Sequence, residues 1–209
     1  MIFLIGGSPR CGKTKLAKII SKRTNLTILS TDRLRKKKVK ETPPEQKELL
    51  FPFEKLFKND KLDKAFATYT AQDMVRADLQ EARMLWPEIE SFINKQVIEG
   101  RGCVIEGVHL LPKYLKNFIS KNKKIKIIYL VKSNENKIIE GLKNNHDKKD
   151  WVLRHIKNEE TFKRVAKMVK AYSSYFKTQS RKYGFTIINT ENNFHKSLMT
   201  AYKETKKPN

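Results

Sequence analysis

The sequence predicts an α/β fold in which five parallel strands form one sheet with helices on both faces. Three observations predict it. Five short runs rich in Ile, Leu and Val occupy residues 1–5, 26–29, 103–106, 125–131 and 185–189, each followed by polar residues. Segments with helical spacing lie between them, and strand–helix alternation makes successive strands parallel and covers the sheet twice. The first run passes directly into a glycine-punctuated loop that opens a helix.

That loop reads Gly7, Ser8, Pro9, Arg10, Cys11, Gly12, Lys13, Thr14, which is Gly-x4-Gly-Lys-Thr, the phosphate-binding P-loop in its strand–loop–helix setting. The glycines let the backbone curl so that successive N–H groups point at an anion. Lys13 reaches the outer phosphates, and the Thr14 hydroxyl is placed to ligate Mg²⁺. Residues 13–24 continue as a helix whose N-terminal dipole faces the phosphates, so the loop through Lys15 is read as the site of a nucleoside triphosphate.

The second strand ends in Ser30, Thr31, Asp32, Arg33, Leu34, Arg35. Ligands of open α/β sheets bind at the carboxyl ends of strands, so Asp32 is a candidate to take a proton from an attacking hydroxyl or to hold Mg²⁺ through water. It is equally the residue type that caps helices. Arg35 is a candidate clamp for an anionic substrate, or a solvated member of the basic run with Lys36, Lys37 and Lys38.

Residues from about 40 to 100 form a helical insertion that covers the acceptor. Its main helix, 72–97, shows an apolar stripe at Val75, Leu79, Ala82, Trp86, Ile89, Ile93 and Val97, and Pro87 is expected to kink or divide it. Arg76 and Arg83 lie opposite that stripe, where they either grip an anionic acceptor or are simply solvated. The third strand leads into Glu106, Gly107, Val108, His109. Glu106 takes the place of an acid that holds a water of the Mg²⁺ shell, and its burial without a cation is costly. His109 is read as a substrate ligand or as a structural histidine. A polar stretch at 144–150 precedes a long helix at about 159–183, and Arg154 and Arg164 are candidates to neutralise the moving phosphoryl group.

The length of 209 residues suits one core, and a net charge of +23 favours polyanions unless the lysines are merely solvated. Cys11 and Cys103 fall at opposite ends of a parallel sheet, so no disulfide is expected. No run approaches a membrane span and the first residues lack a basic leader, so a cytoplasmic protein is expected.

Residues 7–14, 30–35 and 106–112 together resemble the P-loop small-molecule and nucleotide kinases. The run Ile105, Glu106, Gly107, Val108, His109, Leu110, Leu111, Pro112 is most similar to the 2-phosphoglycerate kinase family, which also carries a Ser-Thr-Asp segment after its second strand. The resemblance implies a single P-loop kinase domain over residues 1–209, with an acceptor-binding insertion and a closing lid at about 144–157. It implies ATP and Mg²⁺ as cofactors, Lys13 and Thr14 serving the nucleotide, Asp32 the acceptor hydroxyl and Glu106 the metal. The turn 189–192 corresponds to the place where such kinases pass the adenine. Arg33 stands where these kinases often carry a second acid, and Arg10 and Cys11 are larger than the usual loop residues.

The expected activity is transfer of the ATP γ-phosphoryl group to a hydroxyl of a small, anionic acceptor, 2-phosphoglycerate-like or nucleotide-like. A polynucleotide 5′-hydroxyl kinase is the alternative, favoured by the charge and recognisable by steep salt dependence. A nucleotide-gated binding protein that phosphorylates no acceptor is the second alternative.

Overall fold

The computed structural model describes residues 1–56, 62–119, 124–144, 156 and 158–207. Five strands, β1 (Ile2–Gly7), β2 (Ile28–Ser30), β3 (Cys103–Glu106), β4 (Ile125–Val131) and β5 (Thr186–Asn189), form one sheet in the order β2-β3-β1-β4-β5. All four pairings are parallel, as the strand–helix alternation requires. β1 and β4 are buried along their whole length, which explains their apolar character, interrupted in β4 by the buried Lys126.

The connections leave β1 and β3 on opposite faces. From β1 the chain enters α1 (Lys13–Thr24), which packs with α10 (Phe194–Glu204) over Phe3, Ile5, Val104, Ile128 and Leu130. The other face carries α6 (Ala71–Ile98), α7 (Pro112–Ile119), α8 (Glu135–Lys143) and α9 (Glu159–Lys182) over Leu4, Ile105, Ile127, Tyr129 and Val131. A crevice therefore opens at the carboxyl ends of neighbouring strands β1 and β3, the place where open α/β sheets bind ligands. Register aligns those ends: Glu106 sits beside Ile5 on one side and Ser30 on the other.

Between β2 and β3 the chain builds α2 (Thr31–Glu41), α3 (Pro44–Leu50), α4 (Pro52–Leu56), α5 (Leu62–Thr68) and then α6. α6 starts at a reciprocal capping box between Thr70 and Asp73, which satisfies two of its unpaired N–H groups. It runs unbroken through Pro87, contrary to the expected kink or division. Pro87 and Arg83 are both exposed, so the Arg83 carbonyl that loses its helical partner lies on the solvated side, while Leu85 and Ile89 on the other side are fully buried. The buried stripe is also rotated from the expected one. Its centre is Met74, Asp78, Glu81, Leu85, Ile89 and Ile93, so two carboxylates lie on the inward face.

α9 follows from local signals. Asn158 caps it by accepting from the Glu160 N–H, Glu159 and Glu160 occupy its first turn, and Arg181 and Lys182 its last. No helix among the described residues is long and apolar enough to cross a membrane.

Candidate active site

The P-loop leaves β1 through Gly7 and enters α1 through Gly12, which has φ 93° and stands at the helix N-cap. A β-carbon at Gly12 would come 2.7 Å from the Phe194 ring, so the position is closed to side chains by packing as well as by backbone. Arg10 also adopts a left-handed conformation, φ 64°, a cost of about 1 kcal/mol that the loop's other contacts hold in place. Those contacts are specific. Ser8 and Cys11 are buried with their side chains 2.6 Å apart, Ser173 of α9 bonds the Ser8 hydroxyl at 2.8 Å, and Thr190 donates to the Cys11 carbonyl at 3.0 Å. Burial keeps the Cys11 thiol protonated, pushing its pKa up. Cys11 and Cys103 are both free and buried.

Lys13 is buried, and its ammonium donates to the Ser8 carbonyl at 2.7 Å, spanning the loop from helix to strand end. Lys132, just past β4, joins this region unforeseen. Burial, then the repulsion of Lys15 and Arg10, lowers its pKa. Lys132 and Lys15 both lie about 5 Å from the centre of the Phe194 ring, at 5.0 and 5.1 Å. Arg10, Lys13, Lys15 and Lys132 thus concentrate positive charge around the loop and the N-terminus of α1, a setting suited to a polyphosphate.

Glu106 closes the loop's other side. It is buried, and the Thr14 hydroxyl donates to its Oε2 at 3.3 Å. No basic side chain pairs with it among the described residues. A buried carboxylate without a cation next to a threonine hydroxyl is a donor set that fits Mg²⁺.

At the end of β2, Ser30 caps α2, and Thr31 and Asp32 form its first turn. Asp32 is therefore inside the helix, not its cap, and its side chain is 67% exposed. Thr31 is fully buried in a slot made by Gly107, where a β-carbon would overlap the Thr31 side chain. Its hydroxyl lies 2.8 Å from His109 Nδ1. His109 is buried, with Nδ1 3.8 Å from Asp32 Oδ1 and Nε2 3.4 Å from Asp78 Oδ1, in ion-pair range but outside hydrogen-bond geometry. Tyr172 of α9 donates to the other oxygen of Asp78 at 2.9 Å. Burial opposes charge on both groups, yet the Asp78–His109 attraction prevails, raising the His109 pKa and lowering that of Asp78. Burial and then Asp78 push Tyr172 far up, so it stays a neutral donor.

Beside this pair, Arg35 is gripped by Glu81 and by Glu54 at 2.9 Å, and Glu81 also accepts from the Phe53 N–H at 2.6 Å. Burial works against the Arg35 charge and the Glu81 bonds outweigh it, so Arg35 titrates above its usual value. Asp78, Glu81 and His109 bring ligand atoms within 4.8 Å of one another. Arg35 lies on Glu81 and the His109 ring faces Asp78, so each of the two carboxylates already has a basic partner within the protein.

The other foreseen residues fall elsewhere. Arg35 has its Nε edge bonded to Glu81 and one Nη bonded to Glu54, with the Phe53 ring 5.7 Å from the guanidinium carbon, so it is committed within the protein rather than open to an anion. Arg164 donates to the Phe66 and Ala67 carbonyls at 2.8 and 3.1 Å, capping α5 instead of pointing a free charge at the loop. Arg76 is exposed and pairs with Asp73 at 3.1 Å, and Arg83 is exposed too. Arg154, and the lid apart from Asn144 and Ile156, lie outside the described residues. Asp78, Glu81, Tyr172, Ser173 and Lys132 went unforeseen. For Asp78 and Glu81 the signal was present: they continue the spacing of Met74, Leu85 and Ile89.

No established protein-family profile matches the chain. A curated mevalonate-3-phosphate 5-kinase from Thermoplasma acidophilum is 27% identical over 135 residues, 62% of this chain and 61% of that protein. A 2-phosphoglycerate kinase from Methanothermobacter thermautotrophicus is 22% identical over 202 residues, 90% of this chain and 60% of that protein. The chain thus spans less than two thirds of the length of either relative. Among solved structures, shikimate kinase from Bacteroides thetaiotaomicron superposes with a TM-score of 0.53 at 14% identity, covering 99% of both chains. Dephospho-CoA kinase from Campylobacter jejuni superposes with a TM-score of 0.50 at 16% identity, covering 98% of this chain and 96% of that one. The fold is that of the P-loop kinases, and the curated relatives are kinases as well.

Proposed function

We propose that the protein is an ATP-dependent kinase that transfers the γ-phosphoryl group to a hydroxyl of a small anionic acceptor of the 2-phosphoglycerate kind. The observation that carries this reading is the pair of carboxylates at neighbouring strand ends. Glu106 is buried and bonded to the P-loop threonine, whereas Asp32 is exposed two residues beyond Ser30, the strand partner of Glu106. A binding protein needs the first; phosphoryl transfer to a hydroxyl also needs the second. The curated kinases support the reaction class, and the 2-phosphoglycerate kinase, aligned over most of the chain, supports the acceptor class.

In this mechanism the loop amides and Lys13 hold the β- and γ-phosphates. Asp32 orients the acceptor hydroxyl and takes its proton as the acceptor oxygen bonds to the γ-phosphorus. The bond between that phosphorus and its bridging oxygen breaks, and the electron pair leaves with ADP. Thr14 and Glu106 would hold Mg²⁺, which neutralises charge on the phosphates when bound. Cations at Lys15 and Lys132 add to the same field.

The test is consumption of Mg·ATP by the purified protein against a panel of phosphorylated glycerates, phosphorylated mevalonates, sugars, nucleosides and 5′-hydroxyl oligonucleotides. Turnover stimulated by a phosphorylated glycerate and lost in Lys13→Ala supports the reading. Stimulation by oligonucleotides alone, with steep salt dependence, replaces the acceptor with a polynucleotide. ATP binding without stimulation by any acceptor replaces the kinase with a nucleotide-gated binding protein.

A further inference from the structure

A buried chain of polar contacts runs from α9 to the first turn of α2. Tyr172 bonds Asp78, Asp78 faces His109, and His109 meets Thr31 and approaches Asp32. Its inner members are buried, and only Asp32, at its end, emerges into solvent. The order also crosses four separate elements: α9, α6, the exit of β3, and α2.

We propose that Asp78 and His109 are positioning residues for Asp32: the ring, carried as a cation on the Asp78 carboxylate, holds Thr31 in its slot and directs the Asp32 carboxylate to the acceptor hydroxyl. This rests on the reading of Asp32 as the proton acceptor. Three features support it. The His109 Nε2 is a buried polar atom that faces a carboxylate without hydrogen-bond geometry, so charge attraction is what holds it. The Nδ1 edge is shared between the Thr31 hydroxyl and the Asp32 carboxylate, consecutive residues of one helical turn, so fixing the ring fixes both. Gly107 removes the side chain that would displace Thr31, so sheet exit and helix start are shaped to each other.

The groups facing the ring are Thr31, Asp32 and Arg35 from α2, Asp78 and Glu81 from α6, and Tyr172 from α9. Arg35 is neutralised by Glu81 and Glu54, which leaves Asp78 and Asp32 to set the ring's charge. No proton is exchanged with His109 in the transfer: the hydroxyl proton goes to Asp32, and the ring stays protonated on both nitrogens. Activity is then lost on the alkaline side as pH rises through the raised value of His109.

The experiment compares the full-length wild type with Asp78→Asn, His109→Gln, Tyr172→Phe and the double variant Asp78→Asn/His109→Gln. Long-range ¹H–¹⁵N NMR reads the imidazole without any acceptor, and kinetics with Mg·ATP and the stimulating acceptor read its effect. The expected wild-type ring is an imidazolium at pH 7 and a neutral imidazole in Asp78→Asn. The kcat is expected to fall about tenfold or more in Asp78→Asn and in His109→Gln, with no further loss in the double variant, and less in Tyr172→Phe. The KM for ATP stays unchanged, and the alkaline limb of kcat moves to lower pH in Asp78→Asn, together with the NMR midpoint. A neutral wild-type ring at pH 7, or an Asp78→Asn enzyme with wild-type kcat and alkaline limb, overturns the proposal while leaving the kinase reading intact. Absence of transfer by the wild type to every acceptor overturns both, whatever the ring's charge.

Discussion

The two halves of the site are built on opposite principles. The nucleotide half is one continuous stretch, Gly7 to Lys15, with Glu106 and Lys132 brought to its edge. Its cations are crowded together, and among the described residues Lys13 bonds a backbone carbonyl and no carboxylate, as a polyanion site requires. The acceptor half is assembled from residues far apart in the chain, and its charges are already matched inside the protein: Arg35 by Glu81 and Glu54, His109 by Asp78. One half is left open to charge; in the other, on the positioning proposal, charge holds a single carboxylate in place. α9 joins them through consecutive residues, Ser173 on the P-loop and Tyr172 on Asp78.

The comparison is broken most severely at Lys13. Lys13→Ala is expected to lower kcat/KM by about 10³-fold, since it removes the cation closest to the transferred group. A denaturation midpoint near wild type would accompany that loss, because among the described residues Lys13 pairs with no carboxylate. Glu81→Leu does the reverse. It takes the buried acid from Arg35, leaving that charge with the exposed Glu54, and strands the Phe53 N–H, and urea unfolding should report a loss of about 3–5 kcal/mol. A stability loss below about 1 kcal/mol would mean that the acceptor half is not held by its internal ion pairs.

Acidity sharpens the difference between the halves. His109 titrates above its ordinary 6.5 in the folded protein, so the stability it adds is fully present below about 6.5 and is lost as pH rises through its raised value. Asp78 works in the other sense: its contribution is present above the ordinary 3.8 and is lost as pH falls through its lowered value. Urea midpoints should therefore decline on the alkaline side in the wild type and flatten there in Asp78→Asn. An unchanged alkaline decline in Asp78→Asn would assign it to another group. The smallest expected effect is that of Ser173→Ala. It removes the α9 bond to Ser8 and to the Lys132 N–H, about 1 kcal/mol, and should raise the KM for ATP several-fold with little change in kcat.

This contrast also decides what was legible in the sequence. The P-loop is local, so its residues, its helix and its strand could be read from spacing alone. Strands β3 and β4 were legible to the residue, because a strand buried on both faces is a nearly continuous apolar run, here with Glu106 at the end of β3 and Lys126 inside β4 as the exceptions. The inward carboxylates of α6 were not: an apolar-stripe reading assigns Asp78 and Glu81 to solvent, and only the arrival of His109 and Arg35 makes their burial affordable. Arg35 and Arg164 failed for the same reason, since a sequence shows that an arginine exists but not which acid or carbonyl has already claimed it. Lys132 carries a signal visible in retrospect, a basic residue at the carboxyl end of the strand adjoining β1.

The separation of the halves is tested most directly at Asp32. Asp32→Asn is isosteric, and Asp32 is exposed and takes no part in the P-loop hydrogen bonds described above, so titration calorimetry with Mg·ATP should give the wild-type affinity. Acceptor-dependent phosphoryl transfer, followed by ³¹P NMR, should fall by about 10²–10⁴-fold. Transfer near the wild-type rate, or an ATP affinity lost along with it, would contradict the account.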